Sequence, residues 1–148
     1  MIRALSTFAL PALLLLLPSA PAAGERDGQA SEQVEGVTFA KCQGRGRVTC
    51  VVDGDTFWLN GTKIRVADID TPETARPGCA AERTLGESAT ARFTALLNEG
   101  AFTLTGSGQD RYGRELRVVE RDGASVGAAL VREGLAEEWG GPRIAWCG

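Results

Sequence analysis

Two short segments hold side chains of the kind that act on phosphate. Asp53-Gly54-Asp55-Thr56 and Asp70-Thr71-Pro72-Glu73-Thr74 bring four carboxylates onto consecutive strand candidates. Oxygen ligands at that density suit a hard cation, Ca²⁺ or Mg²⁺, where Asp55, Asp70 and the Thr71 carbonyl converge. Arg65 and Arg114 belong to neighbouring motifs. Their planar guanidinium forks match phosphate oxygens, so carboxylates, cation and arginines together form equipment for a phosphodiester. The plainer alternative makes the aspartates exposed turn residues and the arginines surface ion-pair partners. Asp53 and Asp68 stay open between a supporting and a solvated role. The chain contains no histidine, which excludes Ser-His-Asp and Cys-His chemistry from this chain alone and leaves a carboxylate, lysine, tyrosine or cation-activated water as the base.

Positioning those groups falls to a hairpin. Thr56–Leu59 and Thr62–Ile69 flank Asn60-Gly61, a dipeptide suited to positive φ at both central turn positions. A straight ladder with that turn leaves Asp70 about 13 Å beyond Asp55's partner. A bend or bulge is therefore expected at Gly54 and a second irregularity near Ala67-Asp68. Arg47–Val52 precedes the hairpin as a strand, and Pro72–Ala80 follows it as a loop. Leu85, Ala89, Phe93, Leu96 and Leu97 recur at helical spacing over Ala81–Asn98, with Gly100 beyond the helix end. Phe102–Thr105 and Glu115–Arg121 read as strands, and Ser125 as the N-cap of a helix over Val126–Glu133. The remainder, Leu135–Gly148, is expected to be irregular. This order is α+β, and a small five-stranded oligonucleotide-binding (OB-fold) barrel with two helices suits it, although a flat open sheet satisfies the same periodicity.

Residues 1–23 combine a basic start at Arg3, an apolar run over Ala4–Leu17 and small residues at Ala20–Ala23, the pattern of a secretory signal peptide. Residues 24–36 are polar and lack an apolar period, so a disordered spacer is expected before a domain over 37–148. The expected location is periplasmic or extracellular, with no stable membrane association after cleavage. Four cysteines lie in the exported part, and an even count in an oxidising compartment favours disulfides over zinc, for which no C-x-x-C pair exists. Glycine-rich Gln43–Gly46 lets the chain double back between Cys42 and Cys50, which leaves Cys79 for Cys147. Loss of Arg3 reduces the 16 basic side chains by one against 19 acidic. So acidic a domain binds a polyanion only locally and in a salt-sensitive way.

These motifs resemble those of the staphylococcal nuclease family. The resemblance runs from about Val48 to Ala136 through Asp53–Thr56, Arg65 with Asp70–Thr74, Asp110-Arg111-Tyr112-Gly113-Arg114 and Ala129–Ala136. It implies an OB-fold barrel and a Ca²⁺-dependent endonuclease acting on single-stranded or denatured DNA and RNA and leaving 3′-phosphates. It also implies one Ca²⁺ held by Asp55, Asp70 and Thr71, with Glu73 activating or orienting water. Arg65 and Arg114 would then bind phosphate, and Arg111 and Tyr112 would touch the nucleotide. The protein is expected to act as a monomer. Arg111 stands where the family more usually has lysine, and the family prototype is basic where this chain is acidic. An exported binding or scaffold module on the same barrel is the competing reading.

Overall fold

The computed structural model describes residues 31–148. The expected signal peptide and residues 24–30 of the expected spacer lie outside that range. Nine strands and two helices follow in the order β1 (Glu32–Val34), β2 (Cys50–Asp53), β3 (Thr56–Leu59), β4 (Thr62–Val66), β5 (Ile69–Asp70), α1 (Ala80–Asn98), β6 (Phe102–Thr105), β7 (Glu115–Arg121), β8 (Ala124–Ser125), α2 (Gly127–Arg132) and β9 (Glu137–Glu138). The α+β class is as expected, and β2, β3, β4, β6 and β7 are the five principal strands.

The main sheet runs β1-β6-β7-β4-β3-β2, with β8 on β7. All of its pairings are antiparallel except β4 with β7. One continuous segment joins its two edges. β1 pairs with β6, and eight residues later the Cys42 amide donates to Val51 while the Val51 amide donates to Ala40. Edge strand β2 is therefore covered, and a sheet curled around one core is the result. The core is apolar: Phe57 sits between Phe39 and Phe93 with ring centroids 5.8 Å away on each side, and Val51, Val66, Leu97, Leu104, Val119 and Leu130 are buried around it.

The β3–β4 hairpin has the expected register, Leu59 opposite Thr62 and Thr56 opposite Arg65. Asn60 and Gly61 both take positive φ, 49° and 83°. Both expected irregularities are present. The β2–β3 register shifts between Val51 and Asp53, and the chain leaves the main sheet after Val66, so that β5 pairs with β9 instead.

Three expectations need correction. The spacer over 24–36 is ordered in its second half, because Val34 is buried and Glu32–Val34 hydrogen-bonds to β6; three residues are too few for a visible apolar period. The tail after Leu135 contains β9, since the Asp70 segment needs a partner once it has left the sheet. The second helix starts one residue later than expected, with Val126 rather than Ser125 at its N-cap, although Ser125 Oγ still accepts from the Ala128 amide at 3.1 Å. The cysteines are bridged as expected, Cys42–Cys50 and Cys79–Cys147.

Candidate active site

Arg65 is the centre of one wall. Its side chain is 7% exposed and Asp55's is 9%, so a cation and an anion are buried together. Arg65 Nη1 donates to the carbonyls of Val66 and Ile69, the latter at 2.9 Å. Nη2 donates to Asp70 Oδ1 at 2.9 Å and lies 3.4 Å from Asp55 Oδ2. The break after Val66 makes this possible, because it brings Asp70 round to the guanidinium although Arg65 and Asp70 have opposite strand parity. Asp55 is held further by the Thr71 amide on Oδ2 at 3.2 Å, by the Thr56 hydroxyl on Oδ1 at 2.9 Å, and by its own amide donating to Asp53 Oδ1 at 3.3 Å.

The opposite wall is a loop. Asp110 Oδ1 accepts from the Tyr112 and Arg114 amides, while Oδ2 accepts from Arg114 Nε at 2.6 Å, so one carboxylate shapes the turn and aims its arginine. Parallel pairing of β4 with β7 puts Arg65 opposite Leu116 and Ile64 opposite Glu115, which delivers Arg114 to the hairpin. Arg114 Nη1 reaches Thr56 Oγ1 at 3.4 Å, and Thr56 in turn donates to Asp55. Exposed Tyr112 lies under both Arg111 and Arg114, 4.8 and 5.7 Å from its ring centroid.

Glu73 stands at the rim on the Pro72–Ala80 loop, which docks on α1 at Gly86. A Cβ at that position would meet the Pro72 carbonyl at 2.6 Å and the Thr74 methyl at 2.8 Å. Glu82 ties down the rest of the loop by accepting from the Glu73 amide at 3.3 Å and from the Gly78 amide. Gly54 serves close approach as well as the turn, since a Cβ there would lie 2.8 Å from that of Ala89 and 2.9 Å from a Thr71 methyl.

Together these groups line a cleft of about 620 Å³ that contains Asp53, Asp55, Arg65, Asp70, Glu73 and Arg114, with Arg111 and Tyr112. Of the residues singled out for chemistry, Thr71 and Asp68 lie outside the lining, and the Thr71 amide touches Asp55. Asp68 turns away and accepts from Ser125 Oγ. Trp139 and Arg143, which sequence reasoning passed over, complete the wall. Trp139 covers Arg65 with its ring centroid 4.9 Å from the guanidinium carbon.

The electrostatics call for more positive charge. Burial, then the neighbouring Asp53 charge, raises Asp55 to about 6 against the opposing pull of Arg65. Burial and the Asp55 charge raise Asp70. Burial at the rim raises Glu73, aided by the charges of Asp55, Asp70 and Glu82 and opposed by Arg114. Two aspartates that share one arginine nitrogen and are both disfavoured as anions fit a divalent cation, and their oxygens are of the kind Ca²⁺ and Mg²⁺ take. Among the described residues there is no cluster of three metal-ligating side chains, so a backbone carbonyl and water would have to fill the remaining positions.

Comparison with known proteins matches residues 63–140 to the staphylococcal nuclease homologue family model. The match takes in Arg65, Asp70, Glu73, Arg111, Tyr112 and Arg114 and leaves Asp55 and Arg143 outside. Endonuclease YncB of Bacillus subtilis (strain 168) is 41% identical over 92 residues, covering 57% of this chain and 43% of the relative. The SPbeta prophage-derived endonuclease YokF of the same strain is also 41% identical over 92 residues, covering 57% of this chain and 31% of the relative. An uncharacterized endonuclease of Haemophilus influenzae is 30% identical over 96 residues, covering 61% and 49%. The chain thus spans less than half the length of each of these relatives. With a family match over more than half of its length, the chain belongs to the staphylococcal nuclease homologue family.

Proposed function

We propose that the protein is a Ca²⁺-dependent endonuclease that hydrolyses single-stranded or denatured DNA and RNA and leaves 3′-phosphate products. The observation that carries this reading is the convergence on one cleft of Asp55 and Arg65 from the β3–β4 hairpin, Asp70 and Glu73 from β5 and the loop after it, and Arg114 from the loop before β7. The relatives named as endonucleases support it.

Asp55, Asp70 and the Thr71 carbonyl would hold the cation. When bound, Ca²⁺ supplies charge neutralisation at the phosphate and lowers the pKa of water near it. Glu73 accepts or orients the proton of the attacking water, and a raised carboxyl brings it nearer the working pH of a general base. Arg114 contacts a non-bridging oxygen and strengthens that contact as charge builds, while Arg65 does the same from a guanidinium already locked in place. Tyr112 and Arg111 flank the nucleotide. No covalent intermediate is needed. A signal-peptide pattern and two disulfides support export to the periplasm or medium, and the protein is proposed to act there as a monomer. Among the described residues no helix is long and apolar enough to cross a membrane.

The formal net charge of −3 favours a second reading, a nucleic-acid-binding or scaffold module with little catalysis. One assay separates the two. Acid-soluble nucleotides released from heat-denatured DNA with Ca²⁺, and not with chelator, support the nuclease; binding without release supports the module.

A further inference from the structure

Glu137 and Arg143 belong to none of the chemistry above, yet the Glu137 carboxyl is only 4% exposed. Its Oε1 lies 3.1 Å from Arg143 Nη1, and its Oε2 accepts from the Ile144 amide. A buried carboxylate is costly unless satisfied, and here both oxygens are occupied by one stretch, the strap over 140–148. That strap has no regular secondary structure. It is fastened at Glu137 and again at Cys147 through the bridge to Cys79, which itself caps α1 by accepting from the Glu82 amide.

The fastened strap presents Arg143 to the cleft. Arg143 Nη1 also donates to Asp70 Oδ2 at 3.2 Å, while Arg65 holds Asp70 Oδ1. The two guanidiniums therefore flank one carboxylate from opposite oxygens. Arg143 differs from Arg65 in two ways. Its side chain is 76% exposed, and it meets Asp70 and Glu137 through Nη1, so Nε and Nη2 have no hydrogen-bond partner among the described residues. An arginine oriented by two carboxylates with its remaining donors toward solvent is prepared for a further anion.

We propose that Arg143 is an additional substrate-binding residue that contacts the phosphate adjacent to the scissile one, and that Glu137 positions it. This rests on the nucleic-acid substrate of the proposed function. With a phosphate between Arg65 and Arg114, Arg143, which takes the other oxygen of Asp70, is left to meet the next phosphate of the strand. Four arginines, Arg65, Arg111, Arg114 and Arg143, then line the cleft of an otherwise acidic domain.

The test is the salt dependence of binding to a fluorescent ten-nucleotide single-stranded DNA, read by anisotropy in chelator so that no turnover intervenes. Each phosphate contact on a single strand contributes about 0.7 to the slope of log affinity against log salt. Arg143→Gln is expected to lower the wild-type slope by about 0.7, and Arg143→Lys to retain it. Failure of the nuclease reading appears separately, as absence of nucleotide release with Ca²⁺ while these slopes still differ. An unchanged slope in Arg143→Gln, an equal loss in Arg143→Lys, or no salt-dependent binding by the wild type overturns the proposal.

Discussion

Arg65 and Arg114 face the same cleft from contrasting surroundings. Arg65 is enclosed by strands, with its nitrogens committed to two carbonyls and two aspartates and its face covered by Trp139. Arg114 rises from a loop, keeps 24% of its side chain exposed and is held chiefly by the nearby Asp110, with a longer contact of 3.4 Å to Thr56 Oγ1. The hairpin wall is thus part of the core, and its site groups are also stability elements. The loop wall is carried by the fold without holding it together. Substitutions that look equivalent in catalytic terms should therefore separate in stability.

The largest separation is expected between these arginines. Arg65→Ala leaves Asp55 buried without its cation, and breaking such a pair costs about 3–5 kcal/mol. Arg114→Ala loses a partly exposed pair and should cost about 1 kcal/mol or less. Denaturant unfolding of both variants measures the difference, and equal losses would abolish the contrast.

The disulfides extend it. Cys79–Cys147 closes a separation of 68 residues and Cys42–Cys50 one of 8. By chain entropy these constrain the unfolded state by about 4 and about 2.5 kcal/mol. Paired Cys→Ser variants unfolded in denaturant should rank in that order. Only the long bridge fastens the strap, so its loss should also weaken oligonucleotide binding.

A smaller, graded effect belongs to Asp55. Its folded carboxyl is raised from 3.8 to about 6, by burial first and then by the Asp53 charge. The folded state therefore holds this proton more tightly than the unfolded chain does. The corresponding stability is fully present below pH 3.8 and is lost as pH rises through about 6. In chelator, wild type should lose stability relative to Asp55→Asn across that window, as read by Tm, and added Ca²⁺ should reverse the loss. A flat difference across the window would contradict the buried-anion account.

What could be read from the sequence divides along the same lines. Asp55, Arg65, Asp70 and Glu73 lie within one hairpin and the loop after it, where turn dipeptides and parity arguments act over short distances. Even the two irregularities followed from the need to bring Asp55 and Asp70 together. Arg111, Tyr112 and Arg114 were legible through the motif they share with the staphylococcal nuclease family, and the structure adds that Asp110 organises their turn locally. Arg143, Glu137 and Trp139 were not legible, although the bridge to Cys147 was, because their placement depends on β9 pairing with β5. A two-residue pairing leaves no periodic trace. Gly86 did leave one, as a glycine inside a helical pattern, which usually has a packing reason. The leading half-turn of the sheet, Glu32–Val34, was too short to show alternation and too polar to stand out.

Glu73 tests the central claim most directly. Glu73→Gln keeps the side chain's size and hydrogen-bonding reach and leaves Asp55, Asp70 and both arginines in place, while removing the charge and the ability to accept a proton. Cleavage of denatured DNA with Ca²⁺ and affinity for a single-stranded oligonucleotide should be measured on the same preparation. The account predicts a loss in turnover of about 10²–10⁴ with little change in affinity. Turnover within about twofold of wild type, as for an ordinary exposed carboxylate, would contradict it.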